Sequence, residues 1–299
     1  MSVNSQRIYV TGGRGRLASL IADHFRAPTH EVALFSRADH EFQSLSSLLD
    51  NDVLSGANTL LHLAWSSLPA TSEQTPGIEN ENDLPYLRGL LTSMAALPPE
   101  KRPHLVFFSS GGAVYGNAIN QPNKESDDCH PIGSYGHAKL AAEQLINEFS
   151  NRYGLNCTNL RISNPYGYPV PKKRVQGLIP HALRCAAEEE PLTLWGDGSA
   201  QKDFLYYTDF LSGLEQVISH QLTGTVNLCA GESHSVNEII GMVEKHTEKS
   251  ISLTRKPAPV WDVQDSRLDS NHLSTSTGWS PQVALDEGIR RSAVSYALH

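Results

Sequence analysis

Residues 11–25 read TGGRGRLASLIADHF and follow a short apolar run, residues 7–10 (RIYV). Gly12 and Gly15 stand where a chain that leaves a strand has to turn tightly, and the apolar spacing after them predicts a helix. In such a strand–turn–helix unit the glycine backbone approaches a pyrophosphate, and the amino end of the helix favours its negative charge. The stretch therefore predicts a dinucleotide-binding unit at the start of the chain.

Apolar, β-branched runs alternate with helical patterns along the rest of the chain. The predicted strands are residues 7–10, 31–35, 59–64, 104–109, 157–163 and 225–230. Because these runs are almost continuously apolar, both faces of their sheet should be covered by helices. The fold class is therefore α/β, a Rossmann-type doubly wound parallel sheet that binds its ligand at the carboxyl ends of the strands. Residues 66–83, rich in polar residues, are expected to form a long loop of the kind that often acts as a lid.

Composition limits the classes of partner. The chain has 299 residues, of which 39% are hydrophobic and 19% charged, and its net charge is -8. A negative chain gives no electrostatic reason to expect nucleic acid or an anionic membrane as a partner. We see no signal-peptide pattern and no apolar run of ~18 residues, so a cytoplasmic protein is expected. The four cysteines and thirteen histidines lack the spacing of ligand pairs, and no metal is assigned.

The end of the second predicted strand bears on the cofactor. NAD-binding chains of this type usually carry an acid there, which binds the ribose 2′-hydroxyl of the adenosine. Here the sequence is LFSRADH, so Ser36 and Arg37 would offer a hydroxyl and a cation to a 2′-phosphate instead. Arg14 in the glycine turn could reach the same phosphate. This pattern favours NADP over NAD, although both arginines could also be exposed loop residues.

A second pattern, SYGHAK at residues 134–139, precedes the helical stretch LAAEQLINEF. Tyr135 and Lys139 are four residues apart, and a helix therefore places them on one face. There the ammonium can lower the pKa of the phenol and reach a cofactor ribose. A tyrosine tuned in this way can exchange the proton that accompanies hydride transfer at a carbinol carbon.

Taken in order, these landmarks resemble the extended short-chain dehydrogenase/reductase family, in particular its nucleotide-sugar enzymes of the NAD-dependent epimerase/dehydratase type. The segments that carry the resemblance are TGGRGRLA, LLHLA, FFSSGGAVYG, SYGHAK, LRISNPYG, LWGDGSAQKDFLYYTD, VNLCAG and LDSNHLSTSTGWSP. It implies an NAD(P)-binding domain (residues 1–164 and 204–232) and a smaller nucleotide-sugar-binding lobe (residues 165–203 and 233–299). It also implies a homodimer.

The resemblance assigns roles to individual residues. It implies that Tyr135 is the acid/base and that Lys139 is its partner. Residues expected to contact the cofactor are Gly12, Arg14, Gly15, Arg16, Leu17, Ser36, Arg37, Leu63, Ala64, Tyr135, Lys139 and Ile162. Residues expected to contact the substrate are Trp65, Gly111, Asn164, Gln176, Leu178, Trp195 and Lys202. For Trp65, a packing role is an equally good hypothesis.

The chain departs from the family at three positions. Gly111 stands where relatives carry a Ser or Thr that bonds the sugar, which leaves Ser110 as the nearest hydroxyl and our candidate for that catalytic role. Because side chains alternate along a strand, Ser110 need not point the same way. Lys202 and Pro259 stand where relatives carry arginines that clamp the diphosphate, and Arg255 is a candidate substitute.

Two functional hypotheses remain open. The first is an NAD(P)-dependent enzyme that acts at C4 of a nucleotide-activated sugar, either as a 4-epimerase or as a 4-keto reductase. A dehydratase is disfavoured, because Gly112 and Ala113 stand where that reaction needs an added acid and base. The alternative hypothesis is a catalytically weak NADP-binding sensor or scaffold of the same fold.

Overall fold

The computed structural model describes residues 6–26, 30–37, 41–117, 121–168 and 176–297. The chain forms two compact units. Unit 1 comprises Met1–Ser110, Gly133–Arg161 and Val217–Val226, and unit 2 comprises Gly111–Ile132, Ile162–Gln216 and Asn227–His299. The functional assignment of the two predicted domains stays a prediction.

Strands and helices alternate through the amino-terminal half, as the apolar runs predict. The strands are β1 Gln6–Thr11, β2 His30–Ser36, β3 Gln43–Ser44, β4 Thr59–His62, β5 His104–Ser110, β6 Cys157–Ile162, β7 Asn164–Tyr166, β8 Leu192–Trp195, β9 Gln201–Tyr206, β10 Gly224–Leu228, β11 Ser233–Ser235, β12 Leu253–Lys256 and β13 Asp265–Ser266. The helices are α1 Arg16–Phe25, α2 Asn51–Leu54, α3 Pro69–Gln74, α4 Ile78–Ala96, α5 Gly111–Val114, α6 Ser134–Tyr153, α7 Leu178–Glu188, α8 Tyr207–Ser219, α9 Val236–Thr247, α10 Asn271–Thr277 and α11 Leu285–Ala297. Two short 3₁₀ helices cover Leu45–Leu49 and Pro99–Lys101.

The large sheet has seven strands in the order β10-β6-β5-β4-β1-β2-β3. β1 pairs in parallel with β2 on one side and with β4 on the other. The direction of winding therefore reverses at β1, which is the point where doubly wound sheets bind their ligands. The predicted Rossmann-type fold class is confirmed, and each of the six predicted strands is present. β4 stops at His62 because the next two residues turn toward the glycine loop.

The core of unit 1 lies between this sheet and its helices. Its fully buried side chains include Leu60 of β4, Phe107 of β5, Leu87 and Leu91 of α4, and Ile146 of α6. α6 begins after Gly133 and ends at Gly154, which has the left-handed conformation that commonly stops a helix. The packing of α6 on β5 fixes the height and rotation of its first turn, where Tyr135 lies.

The prediction of a long loop over residues 66–83 is wrong. The structure places α3 and the first turns of α4 there, and Pro69 occupies the first turn of α3, where a missing N–H is harmless. The segment is polar, yet two of its carboxylates, Glu79 and Asp83, are buried, because the hydroxyls of Ser67 and Ser66 donate to them. Polar groups that satisfy each other can pack in an interior as apolar ones do.

Unit 2 contains two smaller sheets. β9 pairs with β7, β11 and β13, and β12 pairs in parallel with β8. A second core forms where α7, α9 and α11 pack together, and it includes Leu183, Ile239 and Ile289. None of the helices in the described part of the chain is long and apolar enough to cross a membrane. Within the same residues, no three His, Cys, Asp or Glu side chains form a metal-binding group.

His62, the last residue of β4, makes folding sensitive to pH. Its Nδ1 lies 2.9 Å from Thr11 Oγ1, and its ring stacks against those of Tyr86 and Phe107 at 5.8 and 6.0 Å. Burial, with a contribution from the Lys139 charge, lowers the pKa of His62 from 6.5 to about 3. The unfolded chain therefore takes up this proton near pH 6.5 and the folded chain only near pH 3. The free energy of unfolding should fall as the pH decreases through that window.

We expect His62→Gln to reduce this slope by about 1.4 kcal/mol per pH unit, the value for one proton. Urea unfolding curves at several pH values below neutrality measure it. His272→Gln, on an exposed position of α10, is the matched control that removes a histidine without touching the core. An unchanged slope in His62→Gln would mean that His62 binds its proton equally in both states.

Candidate active site

The glycine turn after β1 is closely packed. Gly12 has φ +77°, which favours glycine, and a Cβ atom at this position would lie 3.1 Å from the backbone N of Ala64. The N–H of Gly15 donates to the carbonyl of Gly12 at 2.7 Å, and that of Gly13 donates to the carbonyl of Phe35 at 2.9 Å. The turn is thus held against the ends of β2 and β4, and a side chain on Gly12 would push it away.

Thr11 ties the chain after β4 to this turn. Its Oγ1 accepts hydrogen bonds from the N–H groups of Leu63 and Ala64, both at 3.0 Å. α1 begins directly after the turn with Arg16, followed by Leu17. The buried Nη1 of Arg16 has no hydrogen-bond partner within the described residues. A close backbone turn, a helix amino end and an unpaired cationic donor together fit the pyrophosphate of a dinucleotide.

Beside the turn, a cavity of about 190 Å³ opens at the ends of β2 and β4. Its lining residues are Arg37, Leu45, Ser46, Ala64, Asn82, Asp83 and Tyr86. Of the three residues predicted to contact a 2′-phosphate, Arg37 lines this cavity and Ser36 is buried. Arg14 lies exposed in the glycine turn.

Arg37 has a partner that the sequence did not indicate. Its Nη1 donates to Ser66 Oγ at 2.8 Å, and Ser66 Oγ and N donate to Asp83 Oδ1 and Oδ2 at 2.9 and 3.0 Å. Burial raises the pKa of Asp83, whereas the bonds from Ser66 and the Arg37 charge oppose that rise. Asp83 was missed because it lay within the predicted loop, where nothing in the local pattern pointed to burial.

Tyr135 and Lys139 lie on one face of α6, as their spacing predicts. Lys139 is buried, and its Nζ donates to the carbonyl of Phe108 at 2.8 Å. The same Nζ lies 3.8 Å from the ring centroid of Trp65 and 5.7 Å from that of Tyr135. Trp65 also packs on Phe107, with 5.8 Å between ring centroids. Trp65 therefore has a packing role and, in addition, carries the lysine on its face.

Burial dominates the electrostatics of this pair. It lowers the pKa of Lys139 to about 7, against the attraction of Asp83, Glu143 and Glu79. It raises the pKa of Tyr135, and the charges of Glu79 and Asp83 raise it further. The expectation that Lys139 lowers the pKa of Tyr135 is therefore wrong for this fold. With its raised pKa, the phenol of Tyr135 is protonated at neutral pH.

The two serines at the end of β5 differ in their surroundings. Ser109 is buried and its hydroxyl donates to the Glu143 carboxylate. Ser110, the last residue of the strand, is partly exposed. Since alternate side chains point to opposite faces of a strand, Ser110 points away from the face that carries Glu143. The candidate catalytic hydroxyl is thus accessible, and its role stays a prediction.

Gly111, in unit 2, is packed against Leu268. A Cβ atom at this position would clash with Leu268 Cδ1, and would lie 3.1 Å from Leu268 Cδ2 and 3.3 Å from the carbonyl O of Ile162. A side chain here would therefore require the Leu268 side chain to move. Ile162, a predicted cofactor residue, ends β6 at this point.

Two predicted substrate residues of unit 2 form hydrogen bonds with other segments of the same unit. Nδ2 of Asn164 donates to the carbonyl of Asp203 at 2.8 Å. Nζ of Lys202 donates to Asp262 Oδ1 at 2.8 Å and also to the carbonyl of Val263. The position that carries a diphosphate-clamping arginine in relatives is therefore occupied by a lysine that already has an anionic partner.

A further predicted residue, Trp195, ends β8 with half of its surface exposed. The parallel pairing of β12 with β8 places Lys256 opposite it, with Nζ 5.3 Å from the Trp195 ring centroid. Arg255 Nη1 donates to the carbonyl of Asp197 at 3.2 Å. An aromatic ring with a cation over it, and a second cation on the neighbouring residue of the chain, suits a nucleotide, and sequence reasoning missed Lys256. The remaining predicted substrate residues lie at the start of α7: Gln176 and Leu178.

Comparison with known proteins agrees with this arrangement. The model of the NAD dependent epimerase/dehydratase family matches residues 8–229. UDP-glucose 4-epimerase of Mycolicibacterium smegmatis is 26% identical over 311 residues, covering 96% of this chain and 97% of that protein. The dTDP-4-dehydro-6-deoxyglucose reductase of Escherichia coli is 28% identical over 232 residues, covering 77% and 72% respectively.

A solved structure shows the same fold. UDP-glucose 4-epimerase of Thermus thermophilus, in complex with NAD, is 24% identical and matches 97% of this chain and 99% of its own with a TM-score of 0.84. The residues that the family model matches include the glycine turn and residues of every strand of the large sheet. This protein therefore belongs to the NAD dependent epimerase/dehydratase family, within the extended short-chain dehydrogenases/reductases.

Proposed function

We propose that this protein is an NAD(P)-dependent enzyme that acts at C4 of a nucleotide-activated hexose, as a 4-epimerase or as a 4-keto reductase. The observation that carries the proposal is the position of Tyr135 and Lys139. The Nζ atom of Lys139 lies over the ring of Trp65. Ala64, the residue before Trp65, packs against Gly12 of the glycine turn. The proton-exchanging pair thus lies close to the place that fits a dinucleotide.

The side chains of unit 1 supply the acid–base chemistry. A nicotinamide bound there would give or take the hydride at C4. The phenol of Tyr135 would exchange the proton of the C4 oxygen, and Lys139 would hold a positive charge beside it. Lys139 is kept in place by its bond to the Phe108 carbonyl and by the Trp65 face.

Both reactions need proton exchange at Tyr135, and its protonated form at neutral pH is compatible with either. Reduction of a ketone needs a protonated acid at the start, and Tyr135 is in that form at neutral pH. A 4-epimerase must also remove a proton in the opposite half of its cycle. Similarity to both an epimerase and a 4-dehydro sugar reductase leaves the family compatible with either reaction.

Nucleotide-sugar binding is proposed for the segments 165–203 and 233–299. Trp195 with Lys256 and Arg255 supports a nucleotide contact there. Asn164 would contact the sugar nucleotide, as the resemblance implies.

A homodimer remains a prediction, which light scattering on the purified protein tests.

The direct experiment incubates purified protein with UDP-, dTDP- and GDP-linked hexoses and their 4-keto forms, with reduced and oxidised cofactors. A reductase should consume one reduced nicotinamide for each ketone. An epimerase should invert C4, seen by NMR, without net change in the cofactor. Tight cofactor binding without turnover of any compound would reject the enzyme hypothesis in favour of the sensor or scaffold.

The preference for NADP is a separate proposal that rests on Arg37. We expect Arg37→Ala to weaken NADPH binding about tenfold or more, because a charged hydrogen bond to the 2′-phosphate is lost. NADH binding should change by less than about threefold, since that cofactor lacks the phosphate. Nicotinamide fluorescence titration measures both constants, and Arg37→Lys is the control that keeps the charge. Equal losses for the two cofactors would contradict a phosphate contact.

A further inference from the structure

A carboxylate lines the cavity beside the glycine turn. The end of β2, where NAD-binding chains usually carry an acid, has none. Asp83, from α4, is 7% exposed and lines the cavity together with Arg37. The same cavity includes Ala64, which packs against Gly12. In dinucleotide-binding folds the end of β2, next to this turn, is where the adenosine ribose lies. Asp83 therefore faces the region in which the 2′-substituent distinguishes NAD from NADP.

Ser66 connects this carboxylate to Arg37. Both polar hydrogens of Ser66, on N and on Oγ, are donated to Asp83, and Oγ also accepts a hydrogen bond from Arg37. The guanidinium of Arg37 is thus connected to the carboxylate of Asp83 through the hydroxyl of Ser66. The hydrogen bonds restrict the positions of these three side chains, although only Asp83 is buried.

An ionised carboxylate in this wall acts oppositely on the two cofactors. A ribose 2′-hydroxyl can donate to it, as it does to the acid at the end of β2 in NAD-binding chains. A 2′-phosphate is repelled by it, and at short range inside a partly closed cavity that repulsion is large. In addition, the bond to Ser66 keeps the guanidinium of Arg37 from turning fully to the phosphate.

We infer that Asp83, acting through Ser66 on Arg37 and directly on the ribose, is a specificity-determining residue that disfavours NADP(H) relative to NAD(H). The inference rests on the proposed function only in requiring a nicotinamide dinucleotide at the glycine turn. Arg37 and Asp83 then act in opposite directions, and their balance sets the cofactor preference.

The test is equilibrium binding of NADH and NADPH to the purified full chain, with the ratio of the two dissociation constants as readout. We expect Asp83→Asn to shift that ratio toward NADPH by about tenfold or more, because the repelling charge is gone while the shape is kept. Ser66→Ala, which frees Arg37 but keeps the carboxylate, should shift it in the same direction by a smaller factor. This second variant tests the inference even if Asp83→Asn does not fold.

Glu79→Gln is the matched control. Glu79 lies one turn earlier on the same face of α4, is equally buried and accepts from Ser67, but it is not among the residues that line the cavity. Its substitution should leave the ratio unchanged within about twofold, since it removes a charge outside the ribose region. A folded Asp83→Asn whose ratio equals that of the wild type would overturn the inference and leave the proposed function intact. Binding of neither cofactor to the wild type would reject both.

Discussion

Tyr135→Phe should lower turnover of a nucleotide sugar by a factor of roughly 10² to 10⁴, the usual contribution of a general acid–base group. The substitution removes one oxygen atom and leaves the ring in place, 5.7 Å from Lys139 Nζ. Because the packing of α6 on β5 does not use that oxygen, the fold and the glycine turn should be unaffected. Affinity for NADH and NADPH should therefore stay within about threefold of the wild type, less than the loss of one hydrogen bond.

Steady-state rates and cofactor titrations on the same preparations measure these two effects separately. Tyr153→Phe is the matched control, because it removes an exposed phenol from the opposite end of the same helix. Near-normal turnover in Tyr135→Phe would show that another group exchanges the proton. A large loss of cofactor affinity instead would assign Tyr135 to binding.

Sequence predicted the parts of this site that depend on local pattern. Near-continuous apolar runs identify buried parallel strands, because both faces of each strand must be covered. A glycine turn between a strand and a helix indicates a phosphate-binding backbone, and a spacing of four places Tyr135 and Lys139 on one face of α6. These features follow from backbone geometry over a few residues.

The rest of the site depends on contacts between distant segments. Asp83 lies in a polar stretch that looked exposed, and its burial becomes favourable only because Ser66 donates to both of its oxygens. The sequence showed that Gly111 lacks a hydroxyl, but not that Leu268 packs against this position. The direction of the Tyr135 pKa shift likewise depends on burial by side chains far along the chain.

A second large effect is expected at a buried ion pair between α6 and β6. Glu143 lies one turn after Lys139 on α6, and Arg161 lies on β6, and both side chains are almost fully buried. Arg161 Nη2 donates to Glu143 Oε2 at 2.7 Å and Nε donates to Oε1 at 3.1 Å, while Ser109 of β5 donates to the same carboxylate. One carboxylate thus joins a helix to two neighbouring strands.

Glu143→Gln should lower the free energy of unfolding by about 3 to 5 kcal/mol, because it removes the negative charge to which the buried Arg161 donates through two nitrogens. The side chain keeps its size, so a cavity does not contribute. Adding Arg161→Met should restore most of that loss, since an apolar side chain of similar length needs no partner. Urea unfolding of the two single variants and the double variant forms a complete cycle.

If the double variant were as unstable as the sum of the singles, the pair would not be coupled, and the instability would have to arise from the lost bond to Ser109. A changed pH–rate profile in a stable double variant would show that Glu143, whose charge raises the pKa of Lys139 against the effect of burial, acts on that lysine in addition to its role in the fold.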